Sequence, residues 1–135
     1  MKYLNSVFGV LLLILSLSSC SPQQDAITST REIISQGNWT VDYYFPGQNR
    51  TEQFLNYAFH FRGDGTLTIE QGSQVATGNW SLVHDVNRNE VIALQINSSN
   101  PQITSLNEHW SVVDRNLSAL AMKDGNNVEL RLKKQ

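Results

Sequence analysis

The sequence predicts an all-β domain, an antiparallel up-and-down β-barrel of about eight strands with one short N-terminal helix. Three observations predict it. Apolar and polar residues alternate with period two through most of the chain after Gly37, which marks strands with one buried face. Turn chemistry recurs between the alternating runs, most clearly at Gly63-Asp64-Gly65 and Asp124-Gly125-Asn126-Asn127. Asp-Gly and Gly-Asn pairs tolerate the positive φ that tight hairpins require. Helix-period patterning is confined to one short stretch. Short strands joined by tight turns make a meander, and closing that meander into a barrel removes its exposed edges. A two-sheet sandwich is the structural runner-up.

At the N-terminus, Lys2 is followed by an apolar run from Val7 to Leu17 and then by Ser18, Ser19 and Cys20. The run is short for a transmembrane helix, which wants about 20 apolar residues, and it has the length of a signal-peptide core. Leu17-Ser18-Ser19-Cys20 resembles the bacterial lipobox. That resemblance implies that residues 1–19 are cleaved off, that the Cys20 thiol carries a diacylglyceryl group, and that the chain is held on a membrane by this lipid. Each buried lipid CH₂ contributes about 0.8 kcal/mol, so two or three acyl chains anchor firmly. Cys20 is the only cysteine, which excludes an internal disulfide and a Cys-based zinc site. Ser21 stands where an Asp would favour inner-membrane retention in enteric bacteria; by that analogy the expected location is the outer membrane. Residues 20–26 then read as the lipidated cysteine and a polar tether, and 27–135 as one barrel domain with a core of its own.

Within the domain, Ile27, Ile33 and Ile34 among polar neighbours predict a short amphipathic helix near 25–36, with Gly37 as its stop. Gln53-Phe54-Leu55 suits a single helical turn. Trp39, Val41, Tyr43 and Phe45 are expected on the inner face of the first strand. Tyr57, Phe59 and Phe61 follow on the second, then Leu67 and Ile69 on the third, and Ala76, Gly78, Trp80 and Leu82 on the fourth. Ile92, Leu94 and Ile96, then Trp110 and Val112, continue the pattern. The stretch from Leu117 to Met122 alternates less cleanly, and Val128, Leu130 and Leu132 close the series.

One short motif recurs. Gly37-Asn38-Trp39-Thr40-Val41 and Gly78-Asn79-Trp80-Ser81-Leu82 match closely, and His109-Trp110-Ser111-Val112 is a weaker third copy. The spacing is uneven, so these are not solenoid repeats; they read as strand starts of one design, in which Gly lets the chain bend or approach another backbone and Trp fills the inside. With Phe59-His60-Phe61, Asp64-Gly65-Thr66 and Trp110-Ser111-Val112 in order behind Gly37-Asn38-Trp39, the chain resembles the lipocalin-like lipoproteins common in Bacteroidetes, from about residue 30 to 133. The resemblance implies a calycin-type barrel. It also implies a cation packed over the first Trp, a part for which Arg131 on the last strand is placed against Trp39. The T-D-Y motif of lipocalins proper is missing. A META-type domain, which shares the Gly-x-Trp strand and an Asp-Gly hairpin, lacks a match here for its G-C-N segment.

Ten basic side chains stand against twelve acidic ones, and removing the signal takes only Lys2 from the first count. Without a basic cluster there is no footing for nucleic-acid binding. His60, His84 and His109 lie at no metal-ligand spacing. No G-x-S-x-G elbow is present and the sole cysteine is committed to lipid, so the chain offers no nucleophile and is expected not to be an enzyme. No cofactor is implied. Arg62-Gly63-Asp64 is explained by hairpin geometry alone. Binding remains: a barrel of about eight strands is either filled by its side chains or holds one small ligand. The first expectation is a small hydrophobic or amphipathic ligand against Trp39, Tyr43, Phe59, Phe61, Trp80 and Trp110, with Gly37, Gly78 and Arg131 structural. The alternative is a solid-core barrel acting as a structural or protein-interaction module of the envelope.

Overall fold

The computed structural model describes residues 28–135; the signal, the Cys20 lipobox and the tether lie outside the described residues. Eight strands form one closed antiparallel barrel in which each pairs with its sequence neighbour and the last returns to the first. They are β1 (Trp39–Phe45), β2 (Ala58–Phe61), β3 (Thr66–Gln71), β4 (Gln74–His84), β5 (Glu90–Asn97), β6 (His109–Arg115), β7 (Ala119–Lys123) and β8 (Glu129–Lys134). A helix α1 (Thr30–Ile34) precedes them, a 3₁₀ turn (Thr51–Phe54) lies between β1 and β2, and a helix α2 (Pro101–Thr104) between β5 and β6.

Helix α1 is too short to persist on propensity alone. A capping box starts it: Ser29 Oγ accepts from the Glu32 amide at 3.2 Å, and Glu32 Oε2 accepts from the Ser29 amide at 3.0 Å. Ile33 and Ile34 bury its inner face, and Gly37 then turns the chain into β1 at φ +75°. Because the barrel is a meander, α1 shares one end with the β2–β3, β4–β5 and β6–β7 turns and the C-terminus. The 3₁₀ turn, α2 and the β3–β4 and β7–β8 turns share the other.

Alternation predicts the inner face correctly for most strands, but it fails in β1. Trp39 and Val41 point inward, the register to β8 then shifts between Val41 and Tyr43, and the inward position passes to Tyr44. A bulge adds one residue and so exchanges the faces of everything beyond it. The expected inner positions of Tyr43 and Phe45 are thereby corrected: both rings lie outside, stacked at 6.0 Å between centroids. A second bulge in β6, between Val112 and Asp114, keeps Asp114 outside where alternation from Val112 would turn it in. Such bulges bend strands locally, which a small closed barrel needs.

Gly78 sits midway along β4, between Leu67 on β3 and Ile96 on β5. A Cβ here would press into the Gln95 carbonyl and lie 2.8 Å from the Ile96 Cα. The second Gly-Asn-Trp copy is therefore a point of close backbone approach inside an eleven-residue strand, not the strand start expected of it. Farther along, the β5–β6 ladder is short, running only from Val91 to Ala93. Beyond it the Asn107 side chain takes over, accepting from the Ile96 amide at 2.6 Å and donating to the Ile96 carbonyl at 3.0 Å. Gly78→Ala is expected to lower stability by about 1–3 kcal/mol or more, as overpacking does. At Gly63 a Cβ meets nothing within 4 Å, so Gly63→Ala is the control, and urea unfolding of the two variants separates them.

Candidate functional site

Five of the six aromatic residues predicted to form a site do point into the barrel, and they are all but completely buried. Exposure is 0% for Trp39 and Trp110, 1% for Phe59 and Phe61, and 3% for Trp80. They divide into two layers. Under α1, Trp39 faces Phe59 across the β1–β2 pair, and Phe61 meets Trp80 edge-on at 5.8 Å. Under α2, Trp110 lies at the start of β6. Near it the described core adds three rings, Tyr44, Phe54 and Tyr57, packed edge to face at 5.3 and 6.3 Å.

Each indole N–H is spent on a carbonyl of a segment that covers the barrel. Trp39 donates to Ile34 at the end of α1 at 2.9 Å, Trp80 to Arg62 in the β2–β3 turn at 2.8 Å, and Trp110 to Leu106 behind α2 at 2.9 Å. Buried polar groups are seldom left without partners, and these bonds fasten both covers to the wall. At the α1 end, Arg31 lies over the Trp80 ring at 4.9 Å and donates to the Gly63 carbonyl at 3.2 Å. At the α2 end, Ile103 and Leu106 enter the core, and Asn100 caps the helix while donating to the Tyr57 hydroxyl at 3.1 Å.

The cation over Trp39 is Lys134, 5.3 Å from the ring centre, and not Arg131 as the resemblance implies. Arg131 instead covers Tyr43 at 5.0 Å on the outer face and pairs with Glu129. Register decides both pairs: Trp39 stands opposite Lys134 at the start of the seam, and the bulge after Val41 brings Tyr43 opposite the outward-facing Arg131. Tyr43 therefore belongs to an external ring-and-cation stack, away from the other five.

The open concavities lie elsewhere. A groove of about 530 Å³ runs over the outer face of β6–β8, floored by Ala119 and Ala121 and edged by Asp42, Arg115, Lys123 and Arg131. Another, of about 620 Å³, is lined by amides and hydroxyls of β3–β5, including Asn79, Gln95 and Asn97. A cleft of about 380 Å³ opens at the α2 end between the β3–β4 hairpin and α2, where Tyr57, Ile69, Ala76 and Ile103 meet Ser98 and Asn100. None of the three is lined by Trp39, Phe59, Phe61, Trp80 or Trp110. Sequence reasoning missed this cleft because it missed α2, although Asn100-Pro101 is a cap followed by a first-turn proline.

The titratable side chains do not converge. His84 faces Glu90 near the α1 end and Glu108 lies by α2, while His60 contacts Asn38 Oδ1 at 3.0 Å on the β2 exterior. Among the described residues no three His, Cys, Asp or Glu side chains are grouped to hold a metal. The two shifted groups belong to turns. Amide donation from Thr66 holds the Asp64 carboxyl below the usual range, and the Asn89 side chain and amide do the same for Asp85. The stabilisation from these lowered values is complete above the ordinary carboxylate range and is lost as pH falls through them. The double variant Asp64→Asn, Asp85→Asn is thus expected to flatten the acid side of the stability profile below about pH 4, read by urea unfolding at each pH. For the rings, Trp39→Ala is expected to cost about 3–5 kcal/mol as a cavity-forming change, while Tyr43→Ala is expected to fall within the small range of surface changes; thermal unfolding of both checks the face assignment.

The chain matches no protein-family model and no curated protein. Among solved structures it is similar to the crystal structure of a DUF4847 family protein from Bacteroides vulgatus ATCC 8482, with a TM-score of 0.58 and 14% sequence identity. The similarity covers 79% of this chain and 98% of that one. At this identity the likeness establishes the barrel fold and leaves function to the site itself.

Proposed function

We propose that this chain is a lipid-anchored, solid-core β-barrel of the bacterial envelope that works through its outer surface, as an accessory or interaction module. The observation that carries the reading is the interior: the five inward rings are at most 3% exposed, and both ends of the barrel are covered by segments bonded to its tryptophans. A barrel so filled leaves no interior volume on the scale of a ligand pocket, roughly 300–1,000 Å³. The anchor reading rests on the lipobox-like Leu17-Ser18-Ser19-Cys20, with the outer membrane as the proposed location. Catalysis forms no part of the proposal, because the His and carboxylate side chains that could perform it are spread over both ends and the outer wall.

The cleft at the α2 end favours a second reading. Its lining includes Tyr57, Ile69 and Ile103, which are also core residues, so an apolar or amphipathic small molecule seated there would reach the core without entering the barrel axis.

The test is mass spectrometry of the full chain purified from membranes of its host, under denaturing and then native conditions. The expected result is a mature mass beginning at Cys20 and increased by diacylglyceryl and acyl groups, lost together with membrane retention in Cys20→Ser. Native spectra are expected to show no co-purifying small molecule, and tryptophan emission no response to a panel of fatty acids. A reproducible bound molecule whose release perturbs Tyr57 or Ile103 variants would move the function to the cleft.

A further inference from the structure

The two ends of the barrel differ in chemistry, and the chain enters the domain at one of them. Thr28 is held at the α1 end, its carbonyl accepting from Arg115 Nη1 at 2.6 Å. Two turns project apolar side chains at this same end, as Leu55 and Val75 do at the other. Val86 in the β4–β5 turn is 98% exposed, and Leu117 in the β6–β7 turn is 66% exposed. Neither turn needs a hydrophobic residue for its geometry. The first is organised by Asp85, which accepts from the amides of Asn87 and Asn89, and the second by Asn116, which accepts from Ser118.

Basic side chains gather at the same end: Arg31, Arg62, Arg88, Arg115, Lys133 and Lys134. Four of these six cations are engaged, Arg31 on Trp80 and the Gly63 carbonyl, Arg115 on Thr28 and Glu90, Lys133 on Asp42 at 3.2 Å and Lys134 over Trp39, and the acidic side chains there have partners too. Glu32 serves the capping box, Asp64 and Asp85 take turn amides, Glu90 faces Arg115 at 4.0 Å, and Asp114 accepts from the Arg115 amide. The opposite end sets Arg50 and Lys123 against Glu52, Glu70, Glu108, Asp124 and Glu129.

We infer that the α1 end is the membrane-facing end of the domain, and that the β4–β5 and β6–β7 turns seat Val86 and Leu117 in the headgroup layer of an anionic phospholipid surface. Arg62 and Arg88, both exposed, are placed on that side to meet phosphates. The inference rests on the lipid anchor proposed above. The tether can reach either end, and the charge at the two ends decides between them. The eight residues from Cys20 to Ile27 reach at most about 28 Å when fully extended. Presenting the α2 end to the bilayer would send them back along the barrel wall, a path of about 20 Å for a strand the length of β1, and would bring the acid-rich end against anionic lipid. Single apolar side chains and cations near a surface each add modestly, so the turns orient a domain that the lipid already holds.

The experiment uses the full lipidated chain in vesicles of phosphatidylethanolamine and phosphatidylglycerol. Since lipidation consumes the only thiol, Val86→Cys and Leu117→Cys at one end, and Leu55→Cys and Val75→Cys at the other, each give one site for a maleimide fluorophore. All four positions are more than half exposed, and circular dichroism confirms that each variant folds. Brominated lipids are expected to quench probes at 86 and 117 severalfold more than probes at 55 and 75. Equal quenching, or stronger quenching at 55 and 75, overturns the orientation while leaving the anchor intact. Labelling of the wild-type chain at Cys20 would instead overturn the anchor, and the inference with it.

Discussion

Closure of the sheet at the seam between β1 and β8 is the constraint on which the rest of the molecule depends, and Trp39 is where it is made. The residue stands opposite Lys134 on one side and Phe59 on the other. Its ring lies in the core under the Lys134 ammonium, and its N–H reaches back to the carbonyl that ends α1. One side chain thereby joins the first strand to both neighbours and to the helix over the barrel mouth. A cation near an aromatic face and a buried hydrogen bond are each worth on the order of 1 kcal/mol; the area the indole removes from water is worth more. Since the seam turns a meander with two free edges into a barrel with none, its loss would release cooperative structure well beyond β1.

Much of this was legible in the sequence, because burial of one sheet face imposes a local period that survives in the residue order. Phe59-His60-Phe61 and Leu130-Arg131-Leu132 show their inner and outer faces without reference to any partner. Hairpin turns were equally plain, since positive φ is a property of a few residues. What could not be read locally was any feature decided by the strand alongside. The bulge after Val41 depends on how β8 meets β1, and it moves Tyr43 outside and gives it Arg131 as a neighbour, while the register at the start of the same seam sets Lys134 opposite Trp39. Likewise α2 is four residues long and owes its position to Tyr57, Trp110 and the core beneath it, so no periodic signal announces it.

The repeated Gly-Asn-Trp shows how one string of letters answers two different demands. Gly37 is needed for a backbone conformation, a left-handed turn out of a helix, whereas Gly78 is needed for space, because the backbone of the paired β5 lies where its side chain would be. The two tryptophans then converge on the same layer under α1 from opposite routes. The family resemblance read from that motif described the inward packing well and misjudged the cation, which is the part that relies on register.

Asn107 carries a consequence for the molecule among its own kind. Where the β5–β6 ladder stops, the Ile96 amide and carbonyl would stand free at the barrel wall, a short open template for the strand of another protein. The carboxamide of Asn107 offers one acceptor and one donor in the spacing of a strand residue and occupies both groups. Left open, such a rung is a place where edge-to-edge pairing between two chains can start. With that rung occupied from within, a barrel that meets another at this wall has no backbone there to share.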